Sequence, residues 1–483
     1  MRFQSIILLI LAGALMPAVL CAQWSTVTLS QARHHAFPLV VGHKVLFIGG
    51  EASGGAGSNV VDIYDDSTGT WSVHLLDNGT LNLSGRNPSV SIGSKAIVAT
   101  SGPLNLYDAR TDEWTPVPGV SARAYMSGGV VGQYAVFAGG SSPEGVSDAV
   151  DIYNAATGVW SKATLSEPRI LTAVAGIGNL VFIAGGIKAN NAKSDRVDIW
   201  NTETGTWTTA ALSFPRGMIT ALTAGDKVVF ASGSEFDYVW YNQVDVYDYS
   251  TGVWSDDTLK QYNFAGMLKG RVVDGKAYFG DGTSQPNSSN PSNILDVYDP
   301  SANSWSKASL PASHVLYNLT SRGPNIFVAG GVNAPGDARV DMYNTQTGTW
   351  KRVGTLAQPR HYMAAASVGN KVLFAGGLQI SAGNTDRVDI YTDPSWTGAF
   401  SAPAATNLDL YPNPATGRVT LLAPAPALRI VLTDSRGRVL SEWRDNPPGQ
   451  LTVDLSARPA GVYLVLVETA TMRYVGKVVR NAD

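Results

Sequence analysis

The sequence predicts an all-β fold, and a repeated twelve-residue segment is the main reason. VDIYNAATGVWS, which starts at Val150, returns nearly unchanged four times, for example as VDIYDDSTGTWS and VDIWNTETGTWT, and in degraded form three more times. Upstream of each copy lies a second landmark, an apolar stretch that ends in Gly-Gly, as in KVLFIGG, or its degraded equivalent. Eight units at a spacing of roughly 46 residues match the period of a β-propeller.

Each unit contains four short strands in a fixed order. An apolar strand such as AFPLVVG comes first, the strand before Gly-Gly second, VDxY third, and a strand that opens on Trp fourth. Short β-branched segments bounded by turn residues favour strands over helices. The Gly of the Thr-Gly turn allows a tight hairpin, and the regularly placed Tyr and Trp residues supply apolar area between neighbouring sheets.

The two ends of the repeat region predict eight sheets in a closed ring. The eighth unit, VDIYTDPSW from Val388, has a poor fourth strand, whereas WSTVTL at Trp24 looks like a fourth strand with no unit before it. We therefore expect Trp24–Leu29 to complete the last sheet, which would leave no open sheet edge. Seven sheets and a stray repeat are the alternative.

Composition and charge narrow the class of partner. The chain has 483 residues, of which 44% are hydrophobic and 15% charged, with 50 glycines, as in a globular protein rich in turns. Its net charge of -3 provides no basic field for nucleic acid or anionic lipid. We therefore expect no nucleic-acid partner.

The first 22 residues have the pattern of a secretory signal peptide. Arg2 precedes the apolar stretch Ile6–Leu15, and Ala22 ends a plausible cleavage site. The apolar stretch is too short for a convincing membrane span, and a retained anchor or a lipidated Cys21 is the alternative. We expect Sec export and a secreted or outer-surface protein. Because Cys21 is the one cysteine, the mature chain would fold without disulfides.

The repeat stops after Asp393. Residues 24–393 are the predicted propeller, residues 394–407 a linker, and residues 408–483 a small β-sandwich, because apolar and polar residues alternate there.

Two resemblances add to this interpretation. The unit resembles the kelch repeat in its Gly-Gly, Tyr and Trp, which implies a kelch-type propeller, a fold that serves enzymes, adhesins and scaffolds alike. The tail resembles the type IX secretion sorting domain of Bacteroidetes-like bacteria, which implies that the type IX machinery exports the protein and attaches it to the cell surface. The matching residues are Tyr411, Pro412, Asn413, Pro414, Gly461, Tyr463 and Lys477. An immunoglobulin-like module is the alternative.

A register of basic residues predicts one candidate surface at a mouth of the central channel. Sixteen positions before the first Gly of each Gly-Gly position lie Arg33, Arg123, Arg169, Arg216, His314 and Arg360. Like charges about 10 Å apart repel by about 1.7 kcal/mol at an effective dielectric of 20, so counter-charges are needed, and the aspartate of each VDxY strand supplies them. Internal Arg–Asp pairing is one interpretation, and binding of an anion or sugar acid is the other.

Histidines share nearly the same register in units one, seven and eight, as His34, His35, His314 and His361. Imidazoles could bind a metal there. However, no carboxylate follows them at ligand spacing, and neighbouring side chains on a strand point to opposite faces. We therefore expect packing or hydrogen bonding, with no metal and no cofactor.

The segment SEFDYVWYNQ, residues 234–243, is the third candidate, because Phe236, Tyr238, Trp240 and Tyr241 are dense for a loop. They would form either a stacking platform for a glycan or peptide, or strands that pack on the neighbouring sheet.

The sequence contains no nucleophile motif, phosphate loop or zinc signature, so no catalytic residue is predicted and an enzyme is disfavoured. We expect an exported protein that binds a glycan or a protein through the loop-rich face. A carbohydrate-active hydrolase or lyase on that face, or a structural surface component, is the alternative.

Overall fold

The computed structural model describes most of the chain. The described residues are 23–77, 88–100, 102–117, 119–120, 123–234, 239–263, 268–284, 290–312, 316–332, 338–393, 406–408, 410–423, 427–434, 438–446, 449–469 and 473–481. The predicted signal peptide with Cys21, and residues 394–405 of the predicted linker, lie outside them. Within the described ranges the one helical element is a short 3-10 turn, Ser53–Gly55. No helix in those ranges is long and apolar enough to span a membrane.

Before residue 394, the described residues form eight four-stranded antiparallel sheets, which we number along the chain. Sheet 1 consists of Phe37–Val41, Lys44–Ile48, Val60–Asp65 and Thr70–Leu75. Sheet 2 consists of Ser89–Ile92, Lys95–Val98, Asn105–Asp108 and Glu113–Pro116. Sheet 3 consists of Ser127–Val131, Tyr134–Ala138, Ala149–Asn154 and Val159–Thr164. Sheet 4 consists of Ala173–Ile177, Leu180–Ala184, Arg196–Asn201 and Trp207–Ala211.

The remaining four sheets follow the same order of strands. Sheet 5 consists of Thr220–Ala224, Lys227–Ser234, Trp240–Asp248 and Val253–Thr258. Sheet 6 consists of Lys269–Val273, Lys276–Gly280, Ile294–Asp299 and Ser304–Ser309. Sheet 7 consists of Asn318–Arg322, Asn325–Ala329, Arg339–Asn344 and Thr349–Thr355. Sheet 8 consists of Ala364–Val368, Lys371–Ala375, Arg387–Thr392 and, as its fourth strand, Gln23–Thr28.

The described residues before 394 also form three two-stranded sheets. Two are hairpins after the second strands of sheets 3 and 8, and the third pairs the segment before sheet 6 with the loop after that sheet's second strand. They pair Ser141–Ser142 with Gly145–Val146, Tyr262–Asn263 with Gly282–Thr283, and Leu378–Gln379 with Gly383–Asn384.

Burial explains why the second and fourth strands have different sequence patterns. In Lys44–Ile48 every residue after the lysine is buried, because this strand has a packed sheet on both faces. Such strands show a continuous apolar run rather than alternation. In Thr70–Leu75, at the outer edge, only Trp71 and His74 are half-buried and the other side chains face solvent. Trp71 packs against Phe47 at a ring distance of 5.9 Å.

The N-terminal strand is the fourth strand of sheet 8, as the sequence predicts. Gln23–Thr28 pairs antiparallel with Arg387–Thr392, and Trp24 lies opposite Tyr391. The Trp24 indole packs on Tyr391 at 5.3 Å and Phe374 at 6.5 Å, and its Nε1 donates to the Val353 carbonyl of sheet 7 at 3.1 Å. The first strand of the described residues therefore completes the sheet of the last repeat.

The first strand of each sheet contacts the first strand of the next sheet. The first strand of sheet 8, Ala364–Val368, in turn contacts the first strand of sheet 1, Phe37–Val41. Ion pairs cross two of these boundaries in the same way. Lys44 of sheet 1 contacts Asp112 of sheet 2, and Lys371 of sheet 8 contacts Asp66 of sheet 1, both at 2.5 Å. This arrangement is consistent with a β-propeller.

The tail forms two sheets around one core. The five-stranded sheet has the order Thr406–Asn407, Arg473–Arg480, Gly461–Thr469, Ala427–Asp434, Val439–Asn446. The three-stranded sheet has the order Leu410–Tyr411, Arg418–Ala423, Gly449–Asp454. Val419 and Val453 of the smaller sheet share a core with Ile430 and Val465 of the larger one. The tail is the β-sandwich that its alternating sequence predicts.

Candidate functional site

Two kinds of segment meet on one side of the repeat region. The connections that lead from a fourth strand into the next sheet form isolated bridges with the loops after the second strands, as His34 does with Glu51 and Ile170 with Ile187. The same kind of bridge joins Ala124 to Ser141, Gly217 to Ser234, and His361 to Leu378. We call this side the connection face. The described residues of all three candidate groups from the sequence lie in or next to these segments.

The five arginines of the predicted register are buried rather than displayed. Four are at most 1% exposed, and Arg123 is 3% exposed. Each contacts the aspartate of its own sheet. The pairs are Arg33–Asp62 at 2.7 Å, Arg123–Asp151 at 2.8 Å, Arg169–Asp198, Arg216–Asp245 at 2.7 Å and Arg360–Asp389 at 2.8 Å. The geometry supports internal pairing, the first of the two interpretations.

Backbone carbonyls also accept hydrogen bonds from these guanidinium groups, as they do at Arg360. Arg360 donates from Nε to Gly376 at 2.9 Å, from Nη2 to Phe374 at 3.1 Å and from Nη1 to Gln358 at 3.2 Å. Burial lowers the pKa of Arg360, and Asp389 acts in the opposite direction. Because Arg360 uses these donors inside the protein, its contacts favour internal pairing over binding of an external anion.

In sheets 3, 4, 7 and 8 the Gly-Gly pair joins the sheet to the next one. The N–H of the second glycine donates to the carbonyl of the arginine that enters the following sheet, for example Gly377 to Arg33 at 2.9 Å. Gly377 has a φ of 117°, and a Cβ at Gly376 would collide with that same Arg33 carbonyl. The aspartate adds a contact across the boundary, since Ser30 N–H donates to Asp62 Oδ1 at 2.9 Å. Arg, Asp and Gly-Gly therefore form one junction that recurs around the repeat.

Sheet 6 has a junction residue that the register missed. Gln261 is fully buried, and its Nε2 donates to the Phe279 carbonyl at 2.9 Å and to Asp296 at 3.0 Å, as an arginine does elsewhere. It lies 19 residues before Gly280 of the degraded Gly-Gly position (280 minus 261) rather than 16, and two residues after Leu259 rather than the four that separate Arg216 from Leu212. Neither fixed spacing could therefore find it. His314, the corresponding residue of unit seven, lies outside the described residues.

The histidines of units one and eight lie together. The rings of His34 and His35 are 4.6 Å apart, and Tyr362 of the neighbouring connection packs on His35 at 4.0 Å. Two sequence expectations are corrected. His35 has a φ of 55°, so the alternation of an extended strand does not apply and its ring stays near that of His34. A carboxylate is also present, because Glu51 Oε2 lies 3.4 Å from His34 Nε2.

His361 lies beside this group. It is buried, and it exchanges backbone hydrogen bonds with Leu378 at 2.8 and 3.0 Å. Burial lowers the pKa of His361, and the neighbouring His34 adds to the effect. The imidazole is therefore neutral at neutral pH.

The aromatic segment is divided between core and surface. Trp240 is only 8% exposed, and it pairs with Ser234 within sheet 5, so it is not the rim residue that the platform interpretation requires. Tyr241 is half-buried and packs against Phe214 at 5.1 Å. Phe214 is 39% exposed. It lies two residues before Arg216, and this position in the connection could have indicated from the sequence that it belongs to the same face. Phe236 and Tyr238 lie outside the described residues.

The motif residues of the tail hold its last strand or lie at its surface. Asn413 donates to the Lys477 carbonyl at 2.6 Å and accepts from Val479 N–H at 3.0 Å. The Tyr463 hydroxyl donates to the Pro459 carbonyl at 2.6 Å. Tyr411 and Lys477 are exposed. The neighbouring motif residues Pro412, Pro414 and Gly461 belong to the same small domain.

Comparison with known proteins identifies the two kinds of sequence. Residues 168–211, which include the Arg169 junction, match the Kelch motif. An F-box/kelch-repeat protein of Arabidopsis thaliana is 29% identical over 136 residues, which cover 26% of this chain and 36% of that protein. Residues 409–481 match the secretion system C-terminal sorting domain. The chain therefore carries kelch sequence followed by a sorting domain, and that domain indicates export by type IX secretion.

Proposed function

We propose that this chain is an exported, surface-attached, eight-bladed kelch propeller that binds a protein or a glycan with its connection face. The pairing of Gln23–Thr28 with sheet 8 and the return of first-strand contacts from sheet 8 to sheet 1 support a closed ring. The sorting domain supports delivery by the type IX machinery, after Sec export directed by the N-terminal segment. Kelch sequence supports binding of a protein partner.

The observation that carries the binding role is the exposed Phe214, which packs against the half-buried Tyr241 on the connection face. A rigid ring exposed beside a second ring presents a large apolar area at a low entropic cost, for a sugar ring or for an apolar side chain. The loops around it differ between sheets: a 3-10 turn follows sheet 1's second strand, and hairpins occupy that position in sheets 3 and 8. Varied loops on a regular scaffold provide a shape that can be specific.

The test is a binding screen of the full chain on a glycan array and on an array of extracellular proteins. We expect at least one reproducible ligand, whose affinity falls at least tenfold in Phe214→Ala, because a central aromatic contact contributes about 2 kcal/mol or more.

Tyr249→Ala is the matched control. Tyr249 is also 39% exposed, and it follows the opposite end of the strand that begins at Trp240. Equal loss of binding in the two variants, or no binding to either array, would contradict the proposal.

A further inference from the structure

Three potential metal ligands meet where sheet 1 follows sheet 8. His34, His35 and Glu51 each offer one ligand atom within 4.8 Å of the others, and all three side chains are half-buried. His34 Nε2 and Glu51 Oε2 lie 3.4 Å apart. Two ligand atoms of one tetrahedral zinc ion, with bonds of about 2.1 Å, also lie about 3.4 Å apart. We call these three residues the seam cluster.

The backbone fixes the seam cluster in place. His34 N–H donates to the Glu51 carbonyl at 3.1 Å and Glu51 N–H donates to the His34 carbonyl at 2.8 Å, so the two residues are a closely paired bridge. Sheet 8 holds both sides of the cluster, because Asn384 Nδ2 donates to the Glu51 carbonyl at 2.9 Å and His35 N–H donates to the Tyr362 carbonyl at 2.9 Å. Such anchoring reduces the entropy that metal binding must overcome.

The side-chain chemistry also suits a metal. Two imidazoles and one carboxylate favour zinc and similar transition metals over calcium or magnesium, which prefer oxygen ligands alone.

We propose that the seam cluster binds one divalent transition metal ion of the zinc class, through His34, His35 and Glu51. Three protein ligands leave a fourth position for water or for a donor atom of a bound molecule, as in open rather than closed zinc sites. Because the ligands come from sheet 1 and their backbone contacts reach sheet 8, the ion also strengthens the junction between the first and last repeats.

The test measures Zn²⁺ and Co²⁺ binding to the full chain, purified without a histidine tag and stripped with a chelator. We expect one equivalent of Zn²⁺ by calorimetry, a Zn²⁺-dependent rise in Tm, and visible absorption bands of four-coordinate Co²⁺. Binding should weaken at least tenfold in His34→Ala and in Glu51→Gln, and the Co²⁺ bands should disappear.

His43→Ala is the matched control, since it removes an exposed histidine of sheet 1 outside the cluster and should leave binding unchanged. Glu51→Gln keeps the shape of the side chain, so it remains informative if His34→Ala does not fold. Absence of stoichiometric binding, or binding that persists in both cluster variants, would overturn the proposal.

Discussion

At the scale of the residue, one buried arginine links the second strand of its sheet to the third. Arg360 reaches two carbonyls at the end of its sheet's second strand and the carboxylate of Asp389. A buried charge is tolerated when every donor has an acceptor and a counter-charge is near. The arginine therefore stabilises the junction between sheets. It recurs at a fixed position in the sequence because the same junction recurs in several units.

Arg360→Met should reduce the free energy of unfolding by about 3–5 kcal/mol, because it leaves the buried Asp389 without its counter-charge. Adding Asp389→Asn should recover part of that loss, since the charge is then removed while Ala357 N–H, 3.2 Å from Oδ2, keeps an acceptor. Urea unfolding of the two variants measures both effects. A single variant as stable as the parent chain would show that the guanidinium contributes little.

Residue by residue, the sequence predicts the periodic part of the site better than the irregular part. Arg–Asp pairing could be foreseen because both residues recur at fixed offsets. The approach of Glu51 to His34 could not, because it depends on the left-handed backbone at His35 and on a bridge across a loop. Gln261 was missed because the connection before sheet 6 has a different length. Phe214 was missed because its counterparts two residues before the other arginines, such as Gln31 and Gln358, are polar, so the register gave no reason to expect an exposed aromatic side chain there.

At the scale of the element, the N-terminal strand is equivalent to any other fourth strand. Trp24 packs on Phe374 and Tyr391 as Trp71 packs on Phe47 and Tyr64. The strand order of the eight sheets followed from the sequence, because each strand type has its own apolar pattern and turn. The two-stranded sheets could not be predicted, because short loop segments carry no alternation of apolar and polar residues.

Trp24→Ala should therefore destabilise the chain about as much as Trp71→Ala does, by roughly 2–4 kcal/mol for a half-buried indole. Thermal or urea unfolding of both variants under the same conditions makes the comparison. If Trp24→Ala were neutral while Trp71→Ala was costly, the N-terminal strand would be a loose appendage rather than part of sheet 8.

At the scale of the whole molecule, a repeat region with the proposed binding face is followed along the chain by a sandwich that matches the secretion sorting domain. The sandwich has its own core, and Asn413 ties its first segment to the last strand. Its sorting role was recognisable from the sequence because the motif residues are close together along the chain. The ligand of the connection face was not, because its residues come from connections far apart in sequence.

Deletion of residues 408–483 should leave the protein in the periplasm, since the sorting domain is the part that the type IX machinery would engage. Cell fractionation and surface labelling in a host with type IX secretion measure the distribution. Circular dichroism of the purified truncated chain controls for loss of the repeat region. Unchanged display at the surface would refute the sorting role.

The most direct test of the closed ring is a disulfide between its two ends. Thr28 pairs with Arg387 in sheet 8, and Thr355 pairs with Arg339 at the same place in sheet 7. In a Cys21→Ser background, the pair Thr28→Cys and Arg387→Cys should cross-link as fully as Thr355→Cys and Arg339→Cys, because paired strand residues lie within disulfide distance. Thr28→Cys with Arg339→Cys should stay reduced. Mass spectrometry of the oxidised chains decides: cross-linking of Thr28→Cys to Arg387→Cys supports the ring, and its failure while the sheet 7 pair forms would contradict it.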